Sequence, residues 1–317
     1  MKYHAPTRIN MLTEIRDALI IYNPTAGRGR HRRRMQLERA QSILKQAGIL
    51  AELEATTGPG TATGQARNAV ADGRQLVIAC GGDGTINEIV NGLAGSQVPM
   101  AVLPGGTANV LVKELQLSWE IPRSTDQLVR GTLRRIALGL AVSENIPGGQ
   151  RYFICMGGAG PDGKLVNAVD LETKRRLGIL AYWMEGLRQI VSYSFPQFWV
   201  SSEEQKHLAT LVVVGRTKHY GGPVMITTEA DLYEDRFEVC VATTQKRWRW
   251  VTDMVKLLRG NHRSITDDFF WKTTSVRCEA TGSESVWAQV DGEPIGRLPV
   301  EFKIVPEALT LVVPGEC

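Results

Sequence analysis

The chain has 317 residues, too many for most single cores, so two domains are the default, each able to bury a sizeable core. With 37 Lys and Arg against 33 Asp and Glu, the net charge of +4 excludes binding to nucleic acid or anionic lipid by bulk charge and leaves such attraction to local clusters. Cys80, Cys155, Cys240, Cys278 and Cys317 lack CxxC spacing, which argues for free thiols in a reducing cytoplasm and against a zinc site or disulfide framework. Met1 to Asp17 has no signal-peptide run, and no segment reaches the roughly 18 uninterrupted apolar residues of a spanning helix.

In chain order, Ala18 to Tyr22 reads as a buried strand running into the glycine loop Asn23-Pro24-Thr25-Ala26-Gly27-Arg28-Gly29-Arg30. His31-Arg32-Arg33-Arg34 then open a helix whose apolar face is Ala40, Ile43, Leu44 and Ala47. Cations at a helix N-terminus oppose its dipole, so a nearby anion would relieve them, although a charge run is more often a solvated basic turn. Nucleic-acid binding is the weaker reading, because no aromatics are interleaved. Ile49 to Ala55 is a second strand, followed by Thr56-Thr57-Gly58-Pro59-Gly60 and a helix with Ala62, Ala66, Ala69 and Val70 on one side.

The third strand, Gln75 to Cys80, ends in Gly81-Gly82-Asp83-Gly84-Thr85-Ile86-Asn87-Glu88. Thr85 and Glu88 have capping-box spacing, and Ile86, Ile89, Val90 and Leu93 fall on one helical face. Strand, glycine turn and helix N-terminus in that order favour phosphate. Asp83 inside such a turn makes sense if it holds a metal ion or water, or takes a proton from an attacking hydroxyl. The turn alone equally allows an Asp that merely caps the helix. A fourth strand, Pro99 to Leu103, ends in Pro104-Gly105-Gly106-Thr107-Ala108-Asn109, with Ala108, Leu111, Val112 and Leu115 facing inward on the helix that follows. Four strand-loop-helix units imply a parallel sheet with its loops gathered at one edge.

After about Arg135 short strand-like runs succeed one another: Ile136 to Val142, Tyr152 to Met156, Gln197 to Ser201, Leu208 to Val214, Val224 to Thr227, Phe237 to Ala242, Ser275 to Ala280, Val286 to Val290 and Val300 to Val305. They predict an all-β, sandwich-like domain interrupted by two helices. Lys174 to Ser192 reads as a core or pocket-wall helix. Arg247 to Arg259, with Trp248 and Trp250 among basic residues, suits a membrane surface, though a helix packed on the β-domain is the plainer reading. The run Leu309 to Val313 is expected to return to the first domain. Gly158 to Lys164 satisfies GxGxxG and nearly a Walker loop, but Leu165 stands where Ser or Thr should, Pro161 interrupts the loop and no βαβ context surrounds it. It reads as a strand-exit turn.

Taken together, Asn23 to Gly27, Thr56-Thr57 with Pro59-Gly60, Gly81 to Glu88, Leu103 to Asn109 and Val290-Asp291-Gly292-Glu293 resemble the diacylglycerol kinase family of lipid kinases, in family order from about Ala18 to Pro314. The resemblance implies an α/β N-terminal domain with an open parallel sheet like that of NAD kinase and phosphofructokinase, spanning residues 14–135 and completed by 306–317. A C-terminal all-β, sandwich-like lipid-substrate domain over residues 136–305 would follow, with ATP bound in the cleft between the two. Family ATP contacts carry over to Asn23, Pro24, Thr25, Ala26, Gly27, Thr57, Gly81, Gly82, Asp83, Gly84, Thr85, Ile86, Asn87 and Thr107. Glu293 takes the place of the proton acceptor, although Asp-Gly-Glu is by itself also a common hairpin sequence.

Two departures stand out. Gly160-Pro161-Asp162-Gly163 replaces the family's Gly-Phe-Asp-Ala turn, keeping Asp162 as a candidate substrate contact in a changed frame. Asp235-Arg236-Phe237 lacks the glycine of the family's Asp-Gly pair, which puts in doubt the structural magnesium that Asp235 and the main-chain oxygens of Leu232 and Phe237 would otherwise hold. The expected activity is ATP- and Mg²⁺-dependent phosphorylation of a lipid hydroxyl by a cytoplasmic, peripherally membrane-associated enzyme that binds no nucleic acid. Its oligomeric state stays open, a homodimer among the options. Diacylglycerol, a sphingoid base or a phosphatidylglycerol-like lipid would each serve as acceptor. A kinase of a soluble nucleotide or sugar and a non-catalytic regulator are the alternatives. The Asn23 loop and the long β-domain speak against the first, and intact Asp83, Thr85 and Glu293 against the second.

Overall fold

The computed structural model describes residues 8–9, 14–27, 30–161, 163, 194–221, 224–246, 248–250, 252, 256 and 268–315. The chain divides into two compact units, Met1–Leu138 with Pro306–Cys317, and Gly139–Val305. In the first unit β1 (Arg8–Ile9) precedes β2 (Asp17–Tyr22), α1 (Arg30–Gln46), β3 (Leu50–Ala55), α2 (Thr61–Ala71), β4 (Val77–Gly81), α3 (Asp83–Leu93), β5 (Met100–Pro104), α4 (Val110–Glu114), α5 (Ile121–Val129) and the start of β6 (Thr132–Val142). The order β3-β2-β4-β5 is parallel throughout, and the end of the chain's last strand joins β5 in parallel, with Leu311 opposite Met100.

β4 and β5 are buried at every position, as continuous apolar runs require in a sheet covered on both faces. β3 is the edge, and its Glu52 and Glu54 suit that exposure. α1 packs on α5 and α2 on α3. α3 buries Ile86, Ile89, Val90 and Leu93, the face that periodicity predicts. α1 buries Leu37, Ala40 and Leu44, whereas Ala47 lies beyond the helix and is exposed.

The capping-box expectation at α3 is overturned. Gly82 is its N-cap, with no side-chain cap, and Thr85 packs over Gly81 instead. Glu88 reaches across to α2: its carboxylate accepts the N–H of Gly60 at 2.8 Å and of Ala62 at 3.1 Å. A carboxylate at those orphan donors is worth about 0.5–2 kcal/mol, so the spacing identified a capping group on the wrong helix.

The second unit takes the end of β6 and then β7 (Gln150–Phe153), β8 (Met156–Ala159), β9 (Phe198–Ser201), β10 (Lys206–Ala209), β11 (Leu211–Gly215), β12 (His219–Gly221), β13 (Val224–Met225), β14 (Phe237–Ala242), β15 (Asp268–Thr273), β16 (Ser275–Ala280), β17 (Trp287–Val290), β18 (Glu293–Arg297) and the first part of β19 (Val300–Val313). One antiparallel sheet runs β15-β14-β11-β8-β17-β18 and the other contains β10-β9-β16-β19. Residues of both, among them Val212, Val239, Val290, Val200, Val276 and Phe302, share one core in which Phe153 stacks on Phe237 at 5.7 Å and meets Phe302 edge-on at 5.9 Å. This is a β-sandwich.

Two predicted strands are each cut in two where a polar side chain turns the corner between sheets. At the Ile154–Cys155 corner the backbone N–H groups go to the Asp291 carboxylate, and at Thr210 the hydroxyl donates to the Ala242 carbonyl. Val300 to Val305 and Leu309 to Val313 are conversely one strand, and β15 and β18 were not foreseen. Asp162 and the helix expected over Lys174 to Ser192 lie outside the described residues, as does most of Arg247 to Arg259. Among the described residues no helix is long and apolar enough to cross a membrane.

Gly92 lets α3 lie against α2, since a Cβ there would stand 2.5 Å from Ala66 Cβ and 2.7 Å from the Thr63 carbonyl oxygen. Gly92→Ala is therefore expected to destabilise the chain by on the order of 1–3 kcal/mol despite the better helix propensity of alanine. Chemical denaturation should show the lower midpoint, and an unchanged or raised midpoint would refute the close packing.

Candidate active site

The strand order reverses between β2 and β4: from β2 the chain moves outward to β3, then returns to the other side of β2 to lay down β4. Such a switch point leaves a crevice at the carboxyl ends of its two strands, where open α/β sheets bind ligands. Tyr22 pairs with Cys80 there, so Asn23 and Gly81 leave the sheet side by side.

The Asn23 loop is folded by its own side chain. Asn23 Oδ1 accepts the Thr25 N–H and hydroxyl, each at 2.9 Å, while Nδ2 donates to Thr85 Oγ1 at 3.3 Å. This ties the first loop to the first turn of α3. Pro24 and Thr25 are exposed, and Ala26 and Gly27 half-buried. Gly27 has φ 66°, and a Cβ on it would lie 2.7 Å from the Gly105 carbonyl oxygen. Glycine is needed there both for the conformation and for the approach.

The β4 and β5 exits are equally close. A Cβ on Gly105 would lie 2.5 Å from the Gly81 nitrogen, and one on Gly106 would lie 2.5 Å from Gly82 Cα. Asn109 locks this contact from a fully buried, left-handed position with φ 41°. Its Oδ1 accepts the N–H groups of Gly105 at 3.1 Å and Gly106 at 2.6 Å, and its Nδ2 donates to the Gly81 carbonyl at 2.8 Å. With these amides engaged, what the turn presents to an anion is the N-terminus of α3.

Arg33 completes the set. A basic run of this kind is more often a solvated turn, yet Arg33 is only 5 % exposed. Its Nη2 donates to the carbonyls of Ala26 at 2.9 Å and Gly105 at 2.8 Å, and Nη1 lies 3.9 Å from Cys80 Sγ. One guanidinium thus pins the loops after β2 and β5. Burial pushes the Cys80 thiol up to about 11, with Arg33 pulling the other way, so Cys80 stays a neutral packing residue. The signal for Arg33 lay in its spacing: Arg33, Leu37, Ala40 and Leu44 form one helical stripe.

Asp83 stands in the first turn of α3, half-buried, and its Oδ1 accepts the N–H of Val110, the first residue of α4, at 2.7 Å. It does engage a helix terminus, but that of another helix, and the bond orients the carboxylate at the glycine turn. Gly82 and Gly84 are half-buried, Ile86 and Asn87 buried, and Thr107 is exposed on the loop after β5. Thr57 is exposed just past β3, one strand over. The residues from Asn23 to Gly27, Gly81 to Asn87 and Thr107 therefore share one edge of the first unit.

Glu293 belongs to the second unit. Asp291 and Gly292, at φ 47° and 76°, form a two-residue hairpin turn with both residues left-handed, and Glu293 pairs with Val290 at its exit. The turn is anchored: Asp291 Oδ2 accepts from Ile154 N at 2.9 Å, its Oδ1 accepts from Cys155 N at 2.9 Å and Met156 N at 3.0 Å, and Gln289 Oε1 accepts the Gly292 N–H at 2.9 Å. In the loop expected to hold a structural magnesium, the Leu232 carbonyl oxygen accepts from Arg216 Nη2 at 2.6 Å, which sets a guanidinium charge on one of the three expected ligands.

Residues 17–141 match the family model of the diacylglycerol kinase catalytic domain, and residues 157–313 match that of the YegS C-terminal NAD kinase beta sandwich-like domain. The chain is 31 % identical over 307 residues to a diacylglycerol kinase of Bacillus subtilis (strain 168), covering 95 % of this chain and 98 % of that protein. It is 25 % identical over 303 residues to one of Staphylococcus saprophyticus, covering 94 % and 96 %. In fold it is similar to a crystal structure of a diacylglycerol kinase from Bacillus anthracis str. Sterne, with a TM-score of 0.74 at 22 % identity and coverage of 95 % and 98 %. The chain belongs to the diacylglycerol kinase family of lipid kinases.

Proposed function

We propose that the protein transfers the γ-phosphate of ATP to the hydroxyl of a diacylglycerol-like lipid, working as a peripheral enzyme at the cytoplasmic membrane surface. The observation that carries this reading is the interlocked glycine edge at the switch point. There the N-terminus of α3 carries an oriented Asp83, the Asn23 loop is bonded to the first turn of that helix, and the buried Arg33 joins the loops after β2 and β5. A diacylglycerol acceptor is favoured by the Bacillus subtilis relative, which aligns over nearly the whole chain.

Phosphoryl transfer asks a protein for positioning and charge stabilisation more than for covalent chemistry. In this reading the triphosphate lies along Asn23 to Gly27 and the start of α3, with Thr57 and Thr107 as further contacts. Mg²⁺ arriving with ATP would neutralise phosphate charge, and Asp83 is the group that fits it, a hard carboxylate oxygen at the phosphate turn. Glu293 accepts the proton of the lipid hydroxyl as its oxygen bonds to the γ-phosphorus and the bond to the β–γ bridging oxygen breaks, leaving ADP.

With γ-labelled ATP and a lipid panel in mixed micelles, label should enter the organic phase with diacylglycerol. Binding to vesicles should rise with anionic lipid and fall with salt. Label found only on a water-soluble acceptor would overturn the lipid assignment.

The two carboxylates should separate kinetically. Asp83→Asn keeps the size yet is expected to abolish nearly all turnover, whereas Glu293→Gln should lower kcat by about 10²- to 10⁴-fold with the KM for ATP little changed. Steady-state kinetics on variants shown to be folded by thermal melts is the measurement, and wild-type kcat in Glu293→Gln would remove it from the mechanism.

Arg33→Lys keeps the charge but not the planar guanidinium whose Nη2 bridges the Ala26 and Gly105 carbonyls while Nη1 faces Cys80. We expect kcat/KM for ATP to fall roughly tenfold or more, with KM for the lipid unmoved. Equal losses for both substrates would indicate a purely structural role.

A further inference from the structure

Arg216 is the largest fully buried side chain among the described residues, at 0 % exposure. A guanidinium in such a place must have its charge and its donors accounted for. Its fork is spent on main-chain carbonyls of a single loop: Nη2 donates to Leu232 O at 2.6 Å and Nη1 to Glu234 O at 3.0 Å. Its own backbone N–H donates to the Cys155 carbonyl at 2.8 Å, while Nε is buried without a hydrogen-bond partner.

The loop is arranged around that cation. Asp231 Oδ1 accepts the Tyr233 N–H at 2.9 Å and the Asp231 carbonyl accepts the Glu234 N–H at 3.0 Å, which folds the segment into a turn. The Glu234 side chain faces the other way, paired with Lys272 at 2.8 Å. Burial lowers the guanidinium to about 10, opposed by the charges of Asp235, Cys155, Asp231 and Asp291, so the group stays positive at neutral pH. Carbonyl oxygens with a carboxylate beside them are the donors that a hard divalent ion would take. Here the chain's own fork holds the Leu232 and Glu234 carbonyls, the first of them one of the three oxygens expected to take the ion. Among the described residues no group of three or more His, Cys, Asp or Glu is placed to hold a metal.

We propose that Arg216 is the built-in cation of the Leu232–Phe237 loop, standing in for a structural divalent ion, so that the second unit needs no metal and any Mg²⁺ requirement is confined to the nucleotide. Glycine after Asp235 is then dispensable, because the loop no longer wraps an ion, and Arg236 stands in its place. The main chain of Arg216 is anchored as well, its N–H donating to the Cys155 carbonyl while the Cys155 N–H donates to Asp291.

The test uses the full chain without nucleotide. Mn²⁺ titrated in and followed by the electron paramagnetic resonance of the free ion should show no tight equivalent, and melting midpoints in excess Mg²⁺ and in chelator should coincide. A resident Mg²⁺ saturated about 100-fold above its dissociation constant would instead raise the midpoint by roughly 5–10 °C. Arg216→Met leaves both carbonyls without their donor and should lower the midpoint by roughly 10 °C. Should it fail to fold, Arg216→Lys, with charge but no fork, should melt below the wild type. The proposal falls if the wild type binds one tight Mn²⁺ that Asp235→Ala abolishes, or if neither Arg216 variant changes the midpoint.

Discussion

The active edge rests on main chain touching main chain. A methyl group on Gly105 would run into Gly81, one on Gly106 into Gly82, and one on Gly27 into the Gly105 carbonyl. Contacts this close cannot be reached by side-chain adjustment, so the loops after β2, β4 and β5 occupy one arrangement or lose their packing. Their polar groups are then finished by two buried side chains, Asn109 from behind β5 and Arg33 from α1. An edge built on this interlock is organised before any ligand arrives, and under the proposed function such preorganisation would let aligned dipoles stabilise a transferring phosphoryl group without reorganisation cost.

The second unit reaches similar rigidity by another route. Its sheets exchange strands at corners, and each corner would expose backbone groups to an apolar core unless a side chain supplied the missing partner. Asp291 supplies it for Ile154, Cys155 and Met156. Because Asp291 also occupies the first left-handed position of the hairpin turn, the corner that closes the sandwich and the turn that presents Glu293 are one construction. In the role proposed for it, Glu293 would gain from such mounting, since small displacements cost rate steeply.

Local pattern carried most of the fold. Continuous apolar runs gave β2, β4 and β5, helical spacing gave the buried face of α3, and Asp-Gly marked the turn after β17 without revealing the strand that follows it. The failures share a cause, which is that the partner is remote in sequence. Glu88 caps a helix that begins 27 residues earlier, Thr210 and Asp291 end strands by bonding to other parts of the sandwich, and Arg33 is buried only because loops from two other strands reach it. Composition and periodicity record what a residue prefers, and a polar residue's preference is settled by the partner it finds. Arg33 was nonetheless within reach of the sequence, as it continues the stripe of Leu37, Ala40 and Leu44, and a lone cation on an apolar helical stripe asks for a buried acceptor.

Arg33 and Arg216 make the same choice in the two units. Each bonds two main-chain carbonyl oxygens, Arg33 through Nη2 to the loops after β2 and β5 and Arg216 through both Nη atoms to one loop, where a carboxylate would have cancelled its charge. A buried cation bonded to neutral acceptors leaves a positive potential around it that a tight ion pair would remove, and low dielectric extends its reach. Under the proposed function, that potential in the first unit would favour phosphate at the glycine loops and offset the unfavourable dipole at the start of α1. In the second unit, on the inference above, it holds a loop of carbonyls. Arginine suits both tasks for one reason: its planar fork satisfies two main-chain acceptors at once and it remains charged even where burial lowers its pKa.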